Sequence, residues 1–237
     1  MKVALLRVGI DSGAGGIQGP FFKDGSFEFI PIPDKNGVDL RTYGNTPGRH
    51  GKNLIDYFPA RRQARMRNQS MHLDPEFTTF TYGDPTPPKR GLRRLEPGDF
   101  LVFYCGLEGW NFPSKPALYF TGFFEVEVAG LASDFSTFKL RSLFGENFHV
   151  RHPSVFARQQ EELVLVRGRP TSRLFTKAHC FSALSKNCAG QPIKVISRQM
   201  QKIFGGFEGR ISFQRSPTRW VDQKFVPPAV EYVTALD

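Results

Sequence analysis

Four residues have side chains whose type and spacing suit acid–base chemistry. His72 and Asp74 lie two positions apart ahead of a strand-like stretch, so an extended backbone places both side chains on one face. Such a pair can transfer protons or ligate a metal, although a hydrogen-bonded structural pair has the same spacing. Asp84, in Thr81-Tyr82-Gly83-Asp84, could join the pair, and Asp11 precedes a glycine-rich loop. We therefore expect any catalytic group to come from His72, Asp74, Asp84 and Asp11.

The spacing of the remaining histidines and cysteines predicts neither a metal site nor a cofactor. The 5 histidines include no HxxxH or HExxH pattern, and the 3 cysteines include no CxxC pattern. Cys105, Cys180 and Cys188 are therefore expected to be reduced, buried thiols. Burial in an apolar strand would raise the pKa of Cys105, which disfavours it as a nucleophile.

A second set of residues is suited to holding a nucleotide. The loop after the first predicted strand is rich in glycine, and its free amides could form an anion-binding nest, although a tightly wound structural loop is the alternative. Its spacing matches neither a dinucleotide-binding fingerprint nor a P-loop. Aromatic rings near strand ends could stack on a base, with core packing as the alternative. The predicted nucleotide-binding residues are Ser12, Gly13, Gly15, Gly16, Tyr82, Tyr104 and Trp110.

Positive charge is concentrated in two segments of the chain. The formal net charge is +10; residues 41–94 contain 11 basic and 4 acidic side chains, and residues 138–198 contain 11 and 3. Like charges kept together in this way indicate a polyanionic partner, with a solvated basic surface as the alternative. The predicted phosphate-binding residues are Arg61, Arg62, Arg65, Arg67, Arg90, Arg93, Arg94, Arg151 and Arg173.

The hydrophobic pattern predicts a single α/β domain over residues 1–237, with a curved mixed sheet or partial barrel and flanking helices. Residues 100–105 are apolar on both faces, which is typical of a central strand, and Gly122 suggests a bulge in the next strand. Strands are predicted at 2–8, 27–33, 77–82, 100–105, 117–129 and 162–167, with shorter strands near 179–182 and 211–213. Helices are predicted at 53–68 (one, or two divided at Pro59), 136–144, 153–160, 170–178 and 196–204. Residues 34–51 are predicted to be an exposed loop.

Part of this pattern resembles the PUA-like superfamily, which includes the EVE, YTH and ASCH domains. The resemblance rests on the stretch from Pro97 to Tyr104, on Trp110 in the following loop, and on the stretch from Tyr119 to Val126. It implies a PUA-like partial barrel with a pocket for a base. The Gly-x-Lys-x-x-Glu-x-Arg signature of ASCH domains is absent, and Trp110 alone falls where a YTH-type aromatic cage requires rings.

Across most of its length the chain also resembles the nucleotide modification-associated domain group found near DNA base-modification genes. The matching stretches are Arg7 to Pro33, His72 to Asp84, Pro97 to Leu107 and Tyr119 to Val126, with shorter matches at Asn147-x-His149 and at Leu163 to Val166. This resemblance implies involvement with modified nucleotides and carries no established activity.

Together these observations predict a nucleic-acid-associated protein that recognises a nucleotide, with DNA favoured over RNA as the partner. The first alternative is an enzyme of nucleotide modification or cleavage that uses the Asp and His groups, and the second is an interaction subunit that binds an acidic protein. No apolar run reaches the length of a membrane span, about 18 residues, and the apolar run ending at Arg7 is short for a signal peptide. A cytoplasmic location is therefore expected.

Overall fold

The computed structural model describes residues 1–213 and 217–237, in which short strands and helices surround two long strands. The strands are β1 (Val3–Arg7), β2 (Gly19–Phe21), β3 (Ile32–Pro33), β4 (Met71–His72), β5 (Thr81–Asp84), β6 (Phe100–Gly109), β7 (Ala117–Leu131), β8 (Val164–Gly168), β9 (Arg173–Cys180), β10 (Ser182–Lys186), β11 (Pro192–Ile196) and β12 (Arg219–Trp220). The α-helices are α1 (Ala60–Met66), α2 (Thr137–Phe144), α3 (Phe148–Arg151), α4 (Pro153–Gln159), α5 (Arg198–Phe204) and α6 (Val226–Ala235). Short 3-10 helices cover Leu54–Tyr57, Pro87–Arg94, Ala132–Asp134, Phe207–Gly209 and Gln223–Phe225.

The main sheet is an open, mixed, eight-stranded sheet. Its order is β12-β1-β6-β7-β8-β5, with β2 also paired to β6 and β9 also paired to β7. Strand β6 pairs in parallel with β1 along its first half and with β2 at its end. Strand β7 pairs antiparallel with β9 along its first half and with β8 along its second half. The prediction of a mixed α/β fold is therefore confirmed. Whether the fold is related to PUA-like domains stays a prediction.

The side chains of β6 face two different apolar clusters. Phe100, Val102 and Tyr104 belong to a cluster covered by α5 and α6, whereas Leu101 and Phe103 belong to a cluster that includes Leu92 and Tyr82. This alternation was predicted from the sequence. Cys105, however, joins the cluster of Tyr104, because the register between β6 and β7 shifts at Phe103/Tyr104.

The sheet bends because β7 changes partner along its length. The pairing of β7 with β9 shifts between Phe120 and Gly122, and the pairing with β8 shifts between Val126 and Val128. These irregularities confirm the predicted bend near Gly122. As a result, β5 at one end of the sheet packs Tyr82 into the same cluster as Leu6 of β1, near the other end.

Two departures from the predicted elements have the same kind of cause, a side chain bonded to the backbone. The helix predicted at 170–178 is strand β9, because Ser172 Oγ accepts a hydrogen bond from Glu125 N (3.1 Å) and aligns the following residues with β7. The strand predicted at 77–82 begins only at Thr81, because the Glu76 carboxylate accepts bonds from Thr78 N (2.5 Å) and Thr79 N (2.7 Å) and holds a turn there.

Smaller departures concern the second strand and the thiols. Residues 27–33 form no continuous strand, since pairing is limited to a bridge at Phe27 and to β3. Cys105 is buried, as predicted, and burial raises its pKa to about 12, but Cys180 and Cys188 are exposed. The helix pair divided at Pro59 and the helices in 136–144, 153–160 and 196–204 are present. No helix in the described ranges is long and apolar enough to cross a membrane.

Residues 34–51 were predicted to be an exposed loop, but this loop contributes buried polar groups. Asp39 is 5% exposed and accepts hydrogen bonds from the Arg41 side chain, and its Oδ2 lies 3.4 Å from His152 Nε2. Although burial favours the neutral carboxyl, the bonds and charge of Arg41 lower the pKa of Asp39 to about 2. Asp39 therefore ties this loop to the helix that begins after His152.

We expect Gly122→Ala to lower the free energy of unfolding by about 1–3 kcal/mol, because a Cβ there would lie 2.5 Å from the Arg173 carbonyl oxygen. Gly206→Ala is the matched control, since a Cβ at Gly206 would meet no atom within 4 Å. Urea denaturation of both variants checks the prediction, and equal stabilities would contradict it.

We expect Asp39→Asn to cost about 1.5–3 kcal/mol of stability at pH 7, the usual range for hydrogen bonds to a charged group. Because the pKa of Asp39 falls from 3.8 to about 2 on folding, its contribution is present above pH 3.8 and is lost as the pH falls through about 2. Denaturation at pH 7, 4 and 2.5 should therefore show that the difference in unfolding free energy between the variant and the parent protein shrinks as the pH falls. The exposed Glu161→Gln is the control, and a difference that is constant with pH would contradict the assignment.

Candidate functional site

A cleft of about 640 Å³ opens where β1 ends, between that strand and β5. One wall is the segment that follows β1, the second is β4 and β5, and the third is the start of the 3-10 helix Pro87–Arg94. The lining residues are Arg7, Val8, Gly9, Asp11, Ala14, Ile32, His72, Asp74, Tyr82, Gly83, Asp84, Thr86, Pro88, Lys89 and Pro217. Its volume lies within the range of pockets that bind small molecules.

The four residues predicted to carry acid–base chemistry all line this cleft. Asp11 comes from the segment after β1, His72 and Asp74 from β4 and its continuation, and Asp84 from the end of β5. Tyr82, one of the predicted nucleotide-binding residues, lies in the same wall. The fold therefore brings together groups that are up to 73 positions apart in sequence. Their roles stay a prediction.

His149, which was not predicted, completes a compact cluster behind the cleft. Its Nε2 lies 3.1 Å from His72 Nε2 and 3.4 Å from Asp74 Oδ2, and Asp74 Oδ2 lies 4.0 Å from His72 Nε2. On its far side His149 Nδ1 contacts Gln159 Oε1 at 2.6 Å. Asp74 Oδ2 also accepts a bond from Gly83 N (2.8 Å). These contacts hold the three side chains in one fixed arrangement.

Gly83 makes this close approach possible. A Cβ at position 83 would lie 2.9 Å from both Asn147 Oδ1 and His149 Cδ2, so a larger residue would push α3 away from β5. Asn147 in turn caps α3, accepting a hydrogen bond from His149 N at 3.1 Å. The glycine and the cap together place His149 against Asp74.

Burial and mutual charge shift the pKa values of all three groups. Burial raises the pKa of Asp74 to about 6. Burial acts the other way on His149, but the hydrogen bond and charge of Asp74 outweigh it and raise the pKa of that imidazole. Burial, together with the positive charge of His149, lowers the pKa of His72 to about 3. Near neutral pH, His72 is thus a neutral imidazole.

Asp84, at the end of β5, and Lys89, in the 3-10 helix Pro87–Arg94, also line the cleft. Asp84 Oδ2 accepts a bond from the Tyr82 hydroxyl (2.9 Å), and its Oδ1 accepts one from Thr86 N (2.7 Å). Burial lowers the pKa of Lys89, while the negative charge of Asp84 opposes that change. Backbone and side-chain donors thus orient the Asp84 carboxylate beside a cation.

The glycine-rich loop wraps around its own aspartate. Asp11 Oδ1 accepts bonds from Gly13 N (2.7 Å) and Ala14 N (2.8 Å), while Arg7 Nη2 lies 3.2 Å from Asp11 Oδ2. The amides of Gly13 and Ala14 therefore already bind a carboxylate. Gly16 packs against Arg62, whose Nη1 donates to Gly15 O at 3.3 Å, which connects the loop to α1.

The remaining predicted nucleotide-binding residues lie outside this cleft. Ser12 and Gly13 line a second cleft of about 400 Å³ together with Lys194. Tyr104 is fully buried, with its ring 5.2 Å from that of Phe181. Trp110 packs edge-on against Tyr57 at 5.2 Å in another cluster. The structure therefore does not place Trp110 beside His72, Tyr82 and Asp84.

The predicted phosphate-binding arginines fall into different groups. Arg61 and Arg65 are exposed on α1, with Arg62 half-buried on the same helix and Arg67 exposed just after it. Arg90, Arg93 and Arg94 are exposed on the 3-10 helix that borders the cleft. By contrast, Arg173 donates to the carbonyls of Thr234 and Leu236 (2.7 Å each), and Arg151 pairs with Glu146 at 3.3 Å.

Sequence reasoning missed Arg7, Lys89, His149 and Gln159. Arg7 ends a strand and Lys89 follows two prolines, so neither stands in a recognisable motif. The helix-capping Asn147 two residues before His149 was an available signal, but nothing local relates it to His72, which is 77 positions away. Pairing of β5 with β8 is what brings these segments together.

Comparison with known proteins gives one match. No curated protein and no solved structure is significantly similar to the chain. A family model, nucleotide modification associated domain 3, matches residues 2–234. Since this match covers nearly the whole sequence and includes every wall of the cleft, the chain belongs to the nucleotide modification associated domain 3 family.

Proposed function

We propose that this protein binds a nucleotide within a nucleic-acid strand, with the base in the cleft and the neighbouring phosphates on the basic elements beside it. The observation that carries the proposal is the distribution of charge: carboxylates line the cleft, and exposed arginines lie on the elements around it. DNA is the first partner to test, because the sequence resembles domains found near DNA base-modification genes.

The interior of the cleft suits a base better than a phosphate. Asp11, Asp74 and Asp84 all line it, and their negative charge would repel a phosphate group. Carboxylates accept hydrogen bonds from the exocyclic amino groups of bases, and Lys89 and Arg7 can donate to ring nitrogens and carbonyls. A base in a duplex would have to leave the stack to reach these groups, at a cost of a few kcal/mol.

The phosphates would lie on two basic elements. Helix α1 contacts the glycine-rich loop through the bond from Arg62 to Gly15 O, and the 3-10 helix Pro87–Arg94 supplies Lys89 to the cleft itself. Arg61, Arg65, Arg90, Arg93 and Arg94 are exposed on these elements. Such contacts position a strand without reading its sequence. We leave Arg151 and Arg173 out of this surface, because they lie on neither element and their side chains bond within the protein. Arg90 stays in it, although it pairs with the exposed Glu162 at 3.5 Å.

Acid–base catalysis on the bound nucleotide is a second candidate, supported by one specific observation. Asp74, whose pKa is raised to about 6 by burial, lies within 4.0 Å of two imidazoles at the cleft wall. Groups that titrate near neutral pH are suited to general acid or base roles. Mass spectrometry of modified and unmodified oligonucleotides after incubation distinguishes the candidates, because simple binding leaves the probes intact.

We expect Arg61→Ala/Arg65→Ala to reduce the salt dependence of DNA binding. Each neutralised phosphate contributes about 0.9 to the slope of log K against log salt, so the double variant should lower the slope by about 2. Fluorescence anisotropy across a salt series measures it, with Arg198→Ala/Lys224→Ala, two exposed cations outside the cleft, as the charge-matched control. Equal slopes in the two double variants would contradict the placement of phosphates on helix α1. Absence of binding to any DNA or RNA probe at low salt would instead favour an acidic protein partner.

We expect Lys89→Ala to weaken binding of a single nucleotide or short oligonucleotide by about tenfold or more, the effect of losing a charge-assisted hydrogen bond of about 1.5–3 kcal/mol. Lys224→Ala removes the same charge outside the cleft and should leave that affinity within about twofold if a single screened surface charge matters little. Isothermal titration with the mononucleotide that binds the parent protein measures both. Equal losses in the two variants would rule out a role for the cleft.

A further inference from the structure

Three side chains beside the cleft converge on one point with the atoms that ligate transition metals. His72 Nε2, His149 Nε2 and Asp74 Oδ2 are separated by 3.1, 3.4 and 4.0 Å. Ligand atoms that are each about 2.0–2.2 Å from one ion are about 3–3.5 Å apart in tetrahedral or octahedral geometry. Two of the three separations already match that geometry, and the third requires a displacement of about half an ångström.

Hydrogen bonds among the three groups join their facing atoms through only one hydrogen at a time. If His149 Nδ1 donates to Gln159 Oε1, a neutral His149 has a lone pair on Nε2, which accepts from His72 and faces the Asp74 oxygen unfavourably. If Nε2 of His149 is instead protonated, its single hydrogen reaches either Asp74 or His72. In the first arrangement a short contact joins two acceptors, and in the second one hydrogen is shared between two acceptors. A cation between the three atoms satisfies all of them.

A second observation points to a ligand at the same place. Asp74 is 8% exposed, and its Oδ1 is a buried oxygen with no hydrogen-bond partner in the described part of the chain. Burying an unpaired carboxylate oxygen is costly, whereas coordination to a metal ion compensates a buried charge. Asp74 is thus a buried acid with Oδ2 beside the two imidazoles and with a second oxygen, Oδ1, that has no partner among the described residues.

The surroundings of the cluster orient it as metal centres usually are. The Gln159 contact with Nδ1 directs Nε2 of His149 toward the other two groups, and Gly83 N fixes Asp74 Oδ2. His72 and Asp74 line the cleft, while His149 is 2% exposed behind them. The side of the cluster without a protein ligand therefore faces the cleft.

We propose that His72, Asp74 and His149 bind a divalent transition-metal ion of the zinc or iron(II) class, with open coordination positions facing the cleft. Two imidazoles and one carboxylate are the ligand set found in zinc hydrolytic centres and in non-haem iron centres. The ligands come from positions 72–74 and from a helix at 149, so no HxxxH spacing is needed, which is why local spacing alone predicted no metal. The proposal goes beyond nucleotide binding and rests on different residues from those tested above.

The experiment is a titration of the chelator-treated, full-length protein with Co²⁺, followed by visible absorption, with Zn²⁺ as competitor and elemental analysis of the stoichiometry. We expect about one ion per chain and a ligand-field band that Zn²⁺ abolishes. His72→Ala should weaken Co²⁺ binding by more than the about 10- to 100-fold that loss of an outer partner costs. His179→Ala, which removes a histidine outside the cleft, should leave the affinity unchanged.

A second pair of variants serves if His72→Ala fails to fold, as judged by circular dichroism. Gln159→Ala should weaken Co²⁺ binding by about 10- to 100-fold, and Gln159→Glu, which keeps an acceptor for Nδ1, should restore it. Absence of Co²⁺ and Zn²⁺ binding in the parent protein, or equal affinity in the Ala variants of His72 and Gln159 and in the parent, would overturn the proposal. Anisotropy with DNA on the same metal-free samples reports nucleotide binding separately.

Discussion

Strands β6 and β7 pair over most of their lengths, and each is too long for any single neighbour on its other edge. The outer edge of β6 is therefore shared by β1 and β2, and the outer edge of β7 by β9 and β8. The pairings of β7 with β9 and with β8 each contain a register shift, and such bulges increase twist and bend. The bend brings β5 toward β1 and leaves an opening where β1 ends. The cleft is thus a consequence of how this strand pair is divided among its neighbours.

This sharing of strand edges requires close backbone contacts at Gly122 and Gly83, where no larger residue fits without displacement. Gly122 lies at the register shift in β7, where Phe120 pairs with His179 and Gly122 pairs with Leu174. A Cβ at Gly122 would meet the Arg173 carbonyl. Gly83 lies in β5, where the backbone amide bonds Asp74 and where His149 and Asn147 approach closely. At one position glycine allows two strands to meet, and at the other it allows a helix end to meet a strand.

The sequence was sufficient for features that depend on local pattern. The alternation in 100–105 predicted two buried faces, because this pattern acts over a few residues. Of the two alternatives for 53–68, one helix or two divided at Pro59, the structure has the second. The four residues selected from the sequence as candidates, Asp11, His72, Asp74 and Asp84, line one cleft in the structure, and their catalytic role stays a prediction. Sequence patterns failed where a hydrogen bond from a distant residue determines the backbone conformation. Ser172 bonded to Glu125 N turns a helix-like segment into β9, and no short-range pattern contains that information.

The fold separates basic side chains on the exterior from acidic side chains in the cleft. A chain of net charge +10 retains three aspartates at one cleft, and each is held by specific donors: Asp11 by two loop amides and Arg7, Asp74 by Gly83 N, and Asp84 by the Tyr82 hydroxyl and Thr86 N. These donors compensate most of the desolvation cost of three carboxylates. Asp74 Oδ1 is the exception, and it lies in the same side chain that approaches two imidazoles. Under the two proposals, the basic exterior would attract a polyanion, and the acidic interior would exclude its phosphates and admit an uncharged base or a cation. The two proposals made for this protein, a base in the cleft and a metal ion in its wall, therefore follow from one electrostatic arrangement and are compatible with each other.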